Sequence, residues 1–414
     1  MLEHTFVRTQ VTVRLRRGPL GPYIDDLAAS LHHEGYAPSS IQLYLRAAEH
    51  FTQWLQGHGY AICQMDEDLL QGYVSELTRY PSGKLPKAAQ GLGHLVRFLR
   101  QHGVLHSRQA ALPPSAMEQW LVEYGAYLDE VAGLALSTRQ GYRRVARRFI
   151  TTCFGSERPD WPALTASMIT DFVIEAATTR QRGGRKYPAG VVRSFLRFLV
   201  FRGELRPGLD AAAPAPPQWR HASLPPRLMP EDVERVLAVY QDGAASSLRN
   251  HAMLLLLARL GLRGQDVISL GLNDIDWSNG QLDLQPGKSR RARSVPLPHD
   301  VGQAMADYLQ GGRPQSKSRQ VFLRCRPPFR PLTKSALWWT VRQGFERAGI
   351  VVPAGVAGHI FRHTVASQMV NRGATFKDVA DVLGHQSMET TGIYAKLDLD
   401  ALAAVALPWA GETL

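Results

Sequence analysis

The apolar positions of this chain predict a mainly helical protein built partly by duplication. Gly35-x-Ala37-x-Ser39-Ser40-x-x-x-Tyr44-x-Arg46-x-x-x-x-Phe51 returns 98 positions later as Gly133-x-Ala135-x-Ser137-Thr138-x-x-x-Tyr142-x-Arg144-x-x-x-x-Phe149. Leu95-Val96-Arg97-Phe98-Leu99, followed by Gly103 and Leu105, is echoed by Phe195-Leu196-Arg197-Phe198-Leu199, followed by Gly203 and Leu205. The shared order and near-constant offset predict two helical units, over residues 20–110 and 114–206. In each, the Ser or Thr reads as a helix N-cap, and the Tyr and Phe that follow share one face as core.

Beyond the second unit the pattern changes. Six prolines and an alanine run between 207 and 226 predict an extended, stiff linker over 207–227 with no packed element. Met229-Pro230-Glu231-Asp232 then opens a helix, with proline in its first turn and acids that suit the helix dipole. The run Ala252 to Leu260 is apolar all round, so its helix is buried. Gln281 to Gln285 and Arg293 to Leu297 alternate in the manner of two strands joined by a hairpin at Pro286-Gly287. Residues 228–407 form a third, α-rich domain with a small antiparallel sheet, followed by a tail at 408–414. Residues 1–19, with Thr5-Phe-Val-Arg-Thr-Gln-Val-Thr-Val, read as a short strand or a basic arm.

Charge narrows the function. The net charge of +12 and pI of about 9.8 suit a polyanion, nucleic acid before an anionic membrane. It divides as +2 over residues 1–110, +5 over 111–226 and +5 over 227–414, so the second unit and the last domain should hold most of the nucleic-acid surface. Arg139, Arg143, Arg144, Arg147 and Arg148 lie along adjacent faces of one helix without an interleaved acid, a pattern that favours phosphate contact. The three cysteines, Cys63, Cys153 and Cys325, form neither a CxxC pair nor a disulfide framework, as in a reducing cytosol. The apolar runs are too short for a membrane span, which takes roughly 20 residues. A cytoplasmic protein is expected.

The chemistry lies near the C-terminus. Arg263 follows the buried helix in Gly261-Leu262-Arg263. Lys288 sits at the hairpin turn in Pro286-Gly287-Lys288, with Arg290 and Arg291 close enough to exchange roles with it. His359 and Arg362 are three apart and point the same way on a helix. Then come Leu383-Gly384-His385 and, nine residues on, Tyr394. A phenol is a weak nucleophile, and attack on a phosphodiester by tyrosine needs neutralised phosphate charge and a positioned acid or base. These residues supply those parts. His359 and His363 could pair on a metal at i,i+4, yet no third ligand is apparent and Arg362 beside them is unhelpful to a cation. His363 reads as a structural, hydrogen-bonding histidine. Thr390, Thr391 and Lys396 argue against a core position for Tyr394.

Taken in order, Gly-Leu-Arg, Gly-Lys, His-x-x-Arg-His-Thr and Leu-Gly-His-x-Ser…Thr-x-x-Tyr resemble the tyrosine recombinase (phage-type integrase) family. The resemblance covers the chain from about residue 228, and the unit at 114–206 resembles the family's core-binding domain. It implies two tandem helical DNA-binding domains and an integrase-like catalytic domain, arranged as a clamp on double-stranded DNA with inverted half-sites. It also implies a homo-tetramer, alone or with related recombinases, needing no metal or other cofactor. In the implied roles Arg263 and Arg362 hold the scissile phosphate, Lys288 protonates the leaving 5′ oxygen, His359 assists proton transfer, His385 donates to the phosphate, and Tyr394 attacks. Asp266 stands where Glu is commoner and Leu260 where Thr is usual. Residues 397–408 either pack on their own domain or dock on a neighbouring protomer. A type IB topoisomerase or a non-catalytic accessory protein are the competing readings. The tandem units argue against the first and the full catalytic set against the second.

Overall fold

The computed structural model describes residues 9–78, 91–105, 115–155, 158–179, 184–214, 225–285, 292–352, 357–385 and 391–397. Contacts group Met1–Leu105 with His221–Leu414 as one compact unit and His106–Arg220 as another.

The first helix corrects the expected strand or arm. Thr9–Arg17 is helical (α1) and packs on α2, Gly21–His33. Thr12 and Leu15, three apart, are buried, and Arg16 holds Asp25 through Nε at 2.8 Å and Nη2 at 3.0 Å. β-Branched residues lower helix propensity by only some tenths of a kcal/mol each. Burying one leucine contributes about 1.5–3 kcal/mol, so packing decides. Helices α3 (Pro38–Gly57), α4 (Glu67–Thr78) and α5 (Leu92–Gln101) complete this core around Leu45, Phe51, Tyr73, Phe98 and Leu99.

The other compact unit repeats the design with α6 (Ala116–Glu130), α7 (Leu136–Phe154), α8 (Ala166–Thr178) and α9 (Lys186–Phe201) around Tyr124, Phe149, Phe172, Phe195 and Phe198. The matched phenylalanines Phe51 and Phe149 are both fully buried, as the shared pattern predicts. The helix starts differ from expectation. Ala37 and Ala135, not Ser or Thr, occupy the N-cap positions, and neither side chain caps. Gly35 and Gly133 take positive φ, +86° and +59°, and turn the chain early enough for α3 and α7 to start before the hydroxyl residues.

The linker also begins later than expected. Leu209–Ala212 forms a 3-10 turn on α8 and α9, and Ala213 is buried. Two carbonyls that an extended linker would leave to water are used here: Thr170 Oγ1 donates to Ala212 O (2.9 Å) and Arg193 Nη2 to Ala213 O (2.6 Å). Residues 215–224 lie outside the described residues.

The C-terminal region is built on α11 (Ala245–Leu260), whose residues Ala252 to Leu257 are buried on every side. Around it stand α10 (Pro230–Ala238), α12 (Gly264–Ser269), α13 (His299–Asp307, running into a π turn at Tyr308–Gly312), α14 (Lys334–Arg347) and α15 (Ala357–Asn371). The two expected strands form as β2 (Gln281–Leu284) and β3 (Arg293–Pro296), antiparallel, with Leu282 facing Val295 and Leu284 facing Arg293, while the turn expected at Pro286-Gly287 lies outside the described residues. A third strand, β1 (Ile275–Asp276), is two residues long and carries no alternation that would have announced it. Helix α16 (Phe376–Leu383) starts with a Thr375–Asp378 capping box, and a 3-10 turn at Gly392–Leu397 closes the described chain. Among the described residues no helix is long and apolar enough to cross a membrane.

Candidate active site

The site is organised by the C-terminal end of α16. The last carbonyls of a helix have no intrahelical donors and carry the negative end of its dipole. Here three consecutive carbonyls each accept from a different arginine. Arg293 Nη1 donates to Val382 O (2.7 Å), Arg362 Nη2 to Leu383 O (2.5 Å) and Arg263 Nη2 to Gly384 O (2.7 Å). Arg362 Nη1 also donates to Gly261 O at 2.9 Å. Two glycines make room for this. Gly261 ends α11 at φ +58°, where a Cβ would lie 2.8 Å from Leu383 Cδ2. Gly384 caps α16 at φ +64°, where a Cβ would lie 2.5 Å from Arg293 Nη1. Only glycine accepts both the left-handed backbone and the close approach.

Arg263 is the N-cap residue of α12, half-buried, and Arg362 on α15 is only 5% exposed. Burial, then the charges of Arg263 and Arg293, pushes the Arg362 guanidinium down to about 9. Arg293 is lowered chiefly by burial, against the opposing pull of Asp266, whose Oδ2 lies 3.4 Å from its Nη2. The aspartate at 266 is thus the counter-ion of the arginine cluster.

Tyr394 is 1% exposed and packs with Val365, Val379 and Leu383. This corrects the expectation drawn from its polar neighbours. Thr391 is fully buried too, since its hydroxyl is satisfied by His385 Nδ1 at 2.8 Å. The Tyr394 hydroxyl meets His363 Nδ1 at 2.7 Å. Burial raises the phenol to about 12, while the Arg362 charge opposes the rise. His359 is exposed one turn earlier on α15, its ring centre 6.5 Å from that of His363.

The structure therefore brings together Arg263, Arg362, His385, Tyr394 and, on the same helix as Arg362, His359. Lys288 and Arg290 lie outside the described residues. Two participants escaped the sequence. Arg293 stood among several basic residues of one hairpin with nothing to single it out. His363 was recognised as a hydrogen-bonding residue, but its partner, 31 positions away, was not. On α7, Arg147 and Arg148 pair with Glu118 and Glu175 at 2.7 Å, and Arg139 pairs with Asp129. The missing interleaved acids thus arrive from neighbouring helices. Arg143 is half-buried and Arg144 is exposed.

A family model described as the phage integrase family matches residues 226–400. An integrase/recombinase of Sinorhizobium fredii, y4rA, is 37% identical over 397 residues, 95% of this chain and 96% of the relative. The chain belongs to the phage integrase family. It is a tyrosine site-specific recombinase. Tyrosine recombinase XerD of Mycobacterium tuberculosis is 29% identical over 318 residues, covering 71% of this chain and 98% of that one. The fold is shared with lambda integrase in a dimer bound to a core site (TM-score 0.52, 15% identity, 72% of this chain and 99% of that one). It is shared equally with the Tn1549 transposon integrase in complex with transposon right end DNA (TM-score 0.52, 15% identity, 69% and 99%).

The two half-buried histidines should make the recombinase sensitive to acid. His363 is lowered to about 4 by burial, then by His359 and Arg362. His385 is lowered to about 4 by burial, then by Arg362, Arg263, Arg293 and His363. Unfolded, each titrates near the ordinary value of 6.5. The unfolded chain therefore binds more protons between these values, and stability is full above about 6.5 and falls as pH drops toward about 4. Urea midpoints should decline through that window, and less steeply for His385→Asn. An unchanged slope in that variant would remove His385 from the account.

Proposed function

We propose that this recombinase cleaves and rejoins double-stranded DNA at specific sites through a 3′-phosphotyrosine on Tyr394, in the service of a mobile genetic element. The observation that carries the proposal is the convergence of Arg263, Arg293 and Arg362 on one helix end, with the Tyr394 phenol within the field of Arg362. A guanidinium has five N–H donors, and helix-end carbonyls use only some of them. The remaining donors of Arg263 and Arg362 suit the two non-bridging oxygens of a phosphodiester.

The phenol oxygen forms a bond to phosphorus and the bond to the 5′ oxygen breaks. The departing oxygen takes its proton from Lys288, which lies in sequence between β2 and β3. His385 Nδ1 lies 2.8 Å from Thr391 Oγ1; with the hydroxyl as donor, the imidazole proton stays on Nε2 and is free to donate to the phosphate. His359 assists proton transfer from its exposed position. The phosphotyrosine conserves the energy of the broken bond, so rejoining needs no nucleotide. Arg290 and the α7 arginines bind the DNA backbone. Surface ion pairs such as Arg147–Glu118 are worth about 0–1 kcal/mol and yield readily to a phosphate.

Two inverted half-sites, a homo-tetramer and stepwise exchange through a Holliday junction complete the reading. The names of similar proteins, an integrase/recombinase among sequences and a transposon integrase among folds, support the mobile-element role. Selecting bound duplexes from random DNA should return inverted half-sites. A nicked duplex carrying that site should trap a denaturant-resistant complex with protein on the 3′ phosphate and a free 5′ hydroxyl. Linkage to the 5′ phosphate, or no covalent complex, would overturn the proposal.

A further inference from the structure

The histidine assigned to proton transfer by its spacing, His359, is exposed, whereas the hydrogen bond to the phenol comes from its neighbour one turn on. We propose that His363 takes the phenolic proton of Tyr394 during attack and returns it during rejoining. The inference rests on Tyr394 being the nucleophile, and it adds an immediate proton acceptor, a role that His359 does not need to fill.

Geometry carries the argument. His363 Nδ1 and the Tyr394 oxygen are 2.7 Å apart, within the range for direct proton transfer. His363 adjoins Arg362 in sequence, so the base and the phosphate-binding arginine are set by one helix, α15. The Tyr394 ring is locked by Val365, Val379 and Leu383 from α15 and α16, which holds the hydroxyl against the imidazole. Among the described residues, the groups facing His363 are His359 and Arg362 on its own helix, His385 beyond the end of α16, and Tyr394 on the last turn, none of them a carboxylate.

That environment keeps the imidazole neutral and the phenol protonated, and in the tautomer with its proton on Nε2 the imidazole accepts the phenolic O–H at Nδ1. Such a histidine is a weak base at rest. A phosphodiester bound against Arg362 brings negative charge beside the cations that depress His363, and its basicity rises as the substrate arrives. In the forward step the oxygen–phosphorus bond forms, the phenolic proton passes to Nδ1, and the electron pair of the broken bond leaves on the 5′ oxygen, which is protonated by the acid opposite. In the reverse step the 5′ hydroxyl attacks and the imidazolium protonates the departing phenoxide.

The test is the pH dependence of adduct formation on the nicked duplex, in single turnover, with His363→Asn and His363→Gln. The asparagine amide oxygen takes the place of Nδ1 and accepts from the phenol without becoming a base. The glutamine variant keeps the test open if asparagine impairs folding. At pH 7 the adduct should form about 10²–10⁴ times more slowly than in the parent. The deficit should shrink by about tenfold per pH unit toward pH 9.5, because hydroxide then removes the proton. DNA binding should be unchanged. A loss of equal size at every pH, or a rate within threefold of the parent at pH 7, overturns the role of His363. Failure of the parent itself to form an adduct would instead overturn the nucleophile.

Discussion

Tyr394→Phe is expected to bind its DNA site with unchanged affinity and to form no covalent adduct. The substitution removes one oxygen. The ring keeps its place against Val365, Val379 and Leu383. His363 Nδ1 loses its partner at 2.7 Å, at a cost of about 1–3 kcal/mol if no other donor replaces it. A folded, DNA-binding protein is therefore expected. Thr391, the other hydroxyl of the site, is engaged by His385 Nδ1, so without the phenol adduct formation should fall by roughly 10⁵ or more, the scale seen when a nucleophile is deleted. Trapping on the nicked duplex measures it directly. An adduct of normal yield would show that another residue attacks.

Arg362→Lys should lose about 10³ in the rate of adduct formation, although the charge is kept. The guanidinium of this residue, itself 5% exposed, spans two carbonyls from separate segments, Gly261 O and Leu383 O. An ammonium is a point donor and cannot cover both carbonyls and a phosphate oxygen together. One buried carbonyl is then left without a donor, a loss of about 1–3 kcal/mol in stability. The urea midpoint and the single-turnover rate should thus fall together. A lysine variant within threefold of the parent would mean that Arg362 serves only to join α11 to α16.

The difference between the two variants reflects what the sequence could show. Arg263, Arg362, His385 and Tyr394 could be proposed from the sequence because each lies in a short local pattern, and local spacing dictates which side chains share a helix face. The helical repeats, the buried α11 and the β2–β3 hairpin were legible for the same reason. The misreadings share a cause as well. Thr9–Arg17 alternates like a strand, but the burial of Thr12 and Leu15 against α2 outweighs the small cost of its β-branched residues. Thr391 and Tyr394 look too polar for a core, but each finds its hydrogen-bond partner inside the fold.

Arg293 illustrates the limit most sharply. Its partners Val382 and Asp266 are 89 and 27 positions away, and nothing in its own neighbourhood points to either. The same holds for the contact of Arg263 with Gly384, across 121 positions. Periodicity and motif order determined that this chain reads as a helical recombinase and which residue types could be proposed to meet a phosphate. Only the tertiary structure decided that three arginines meet at the end of α16, that the phenol is buried, and that His363 is the histidine against it. Side-chain spacing is a property of the local backbone, whereas hydrogen-bond partners and desolvation depend on which distant segments the packed core brings together.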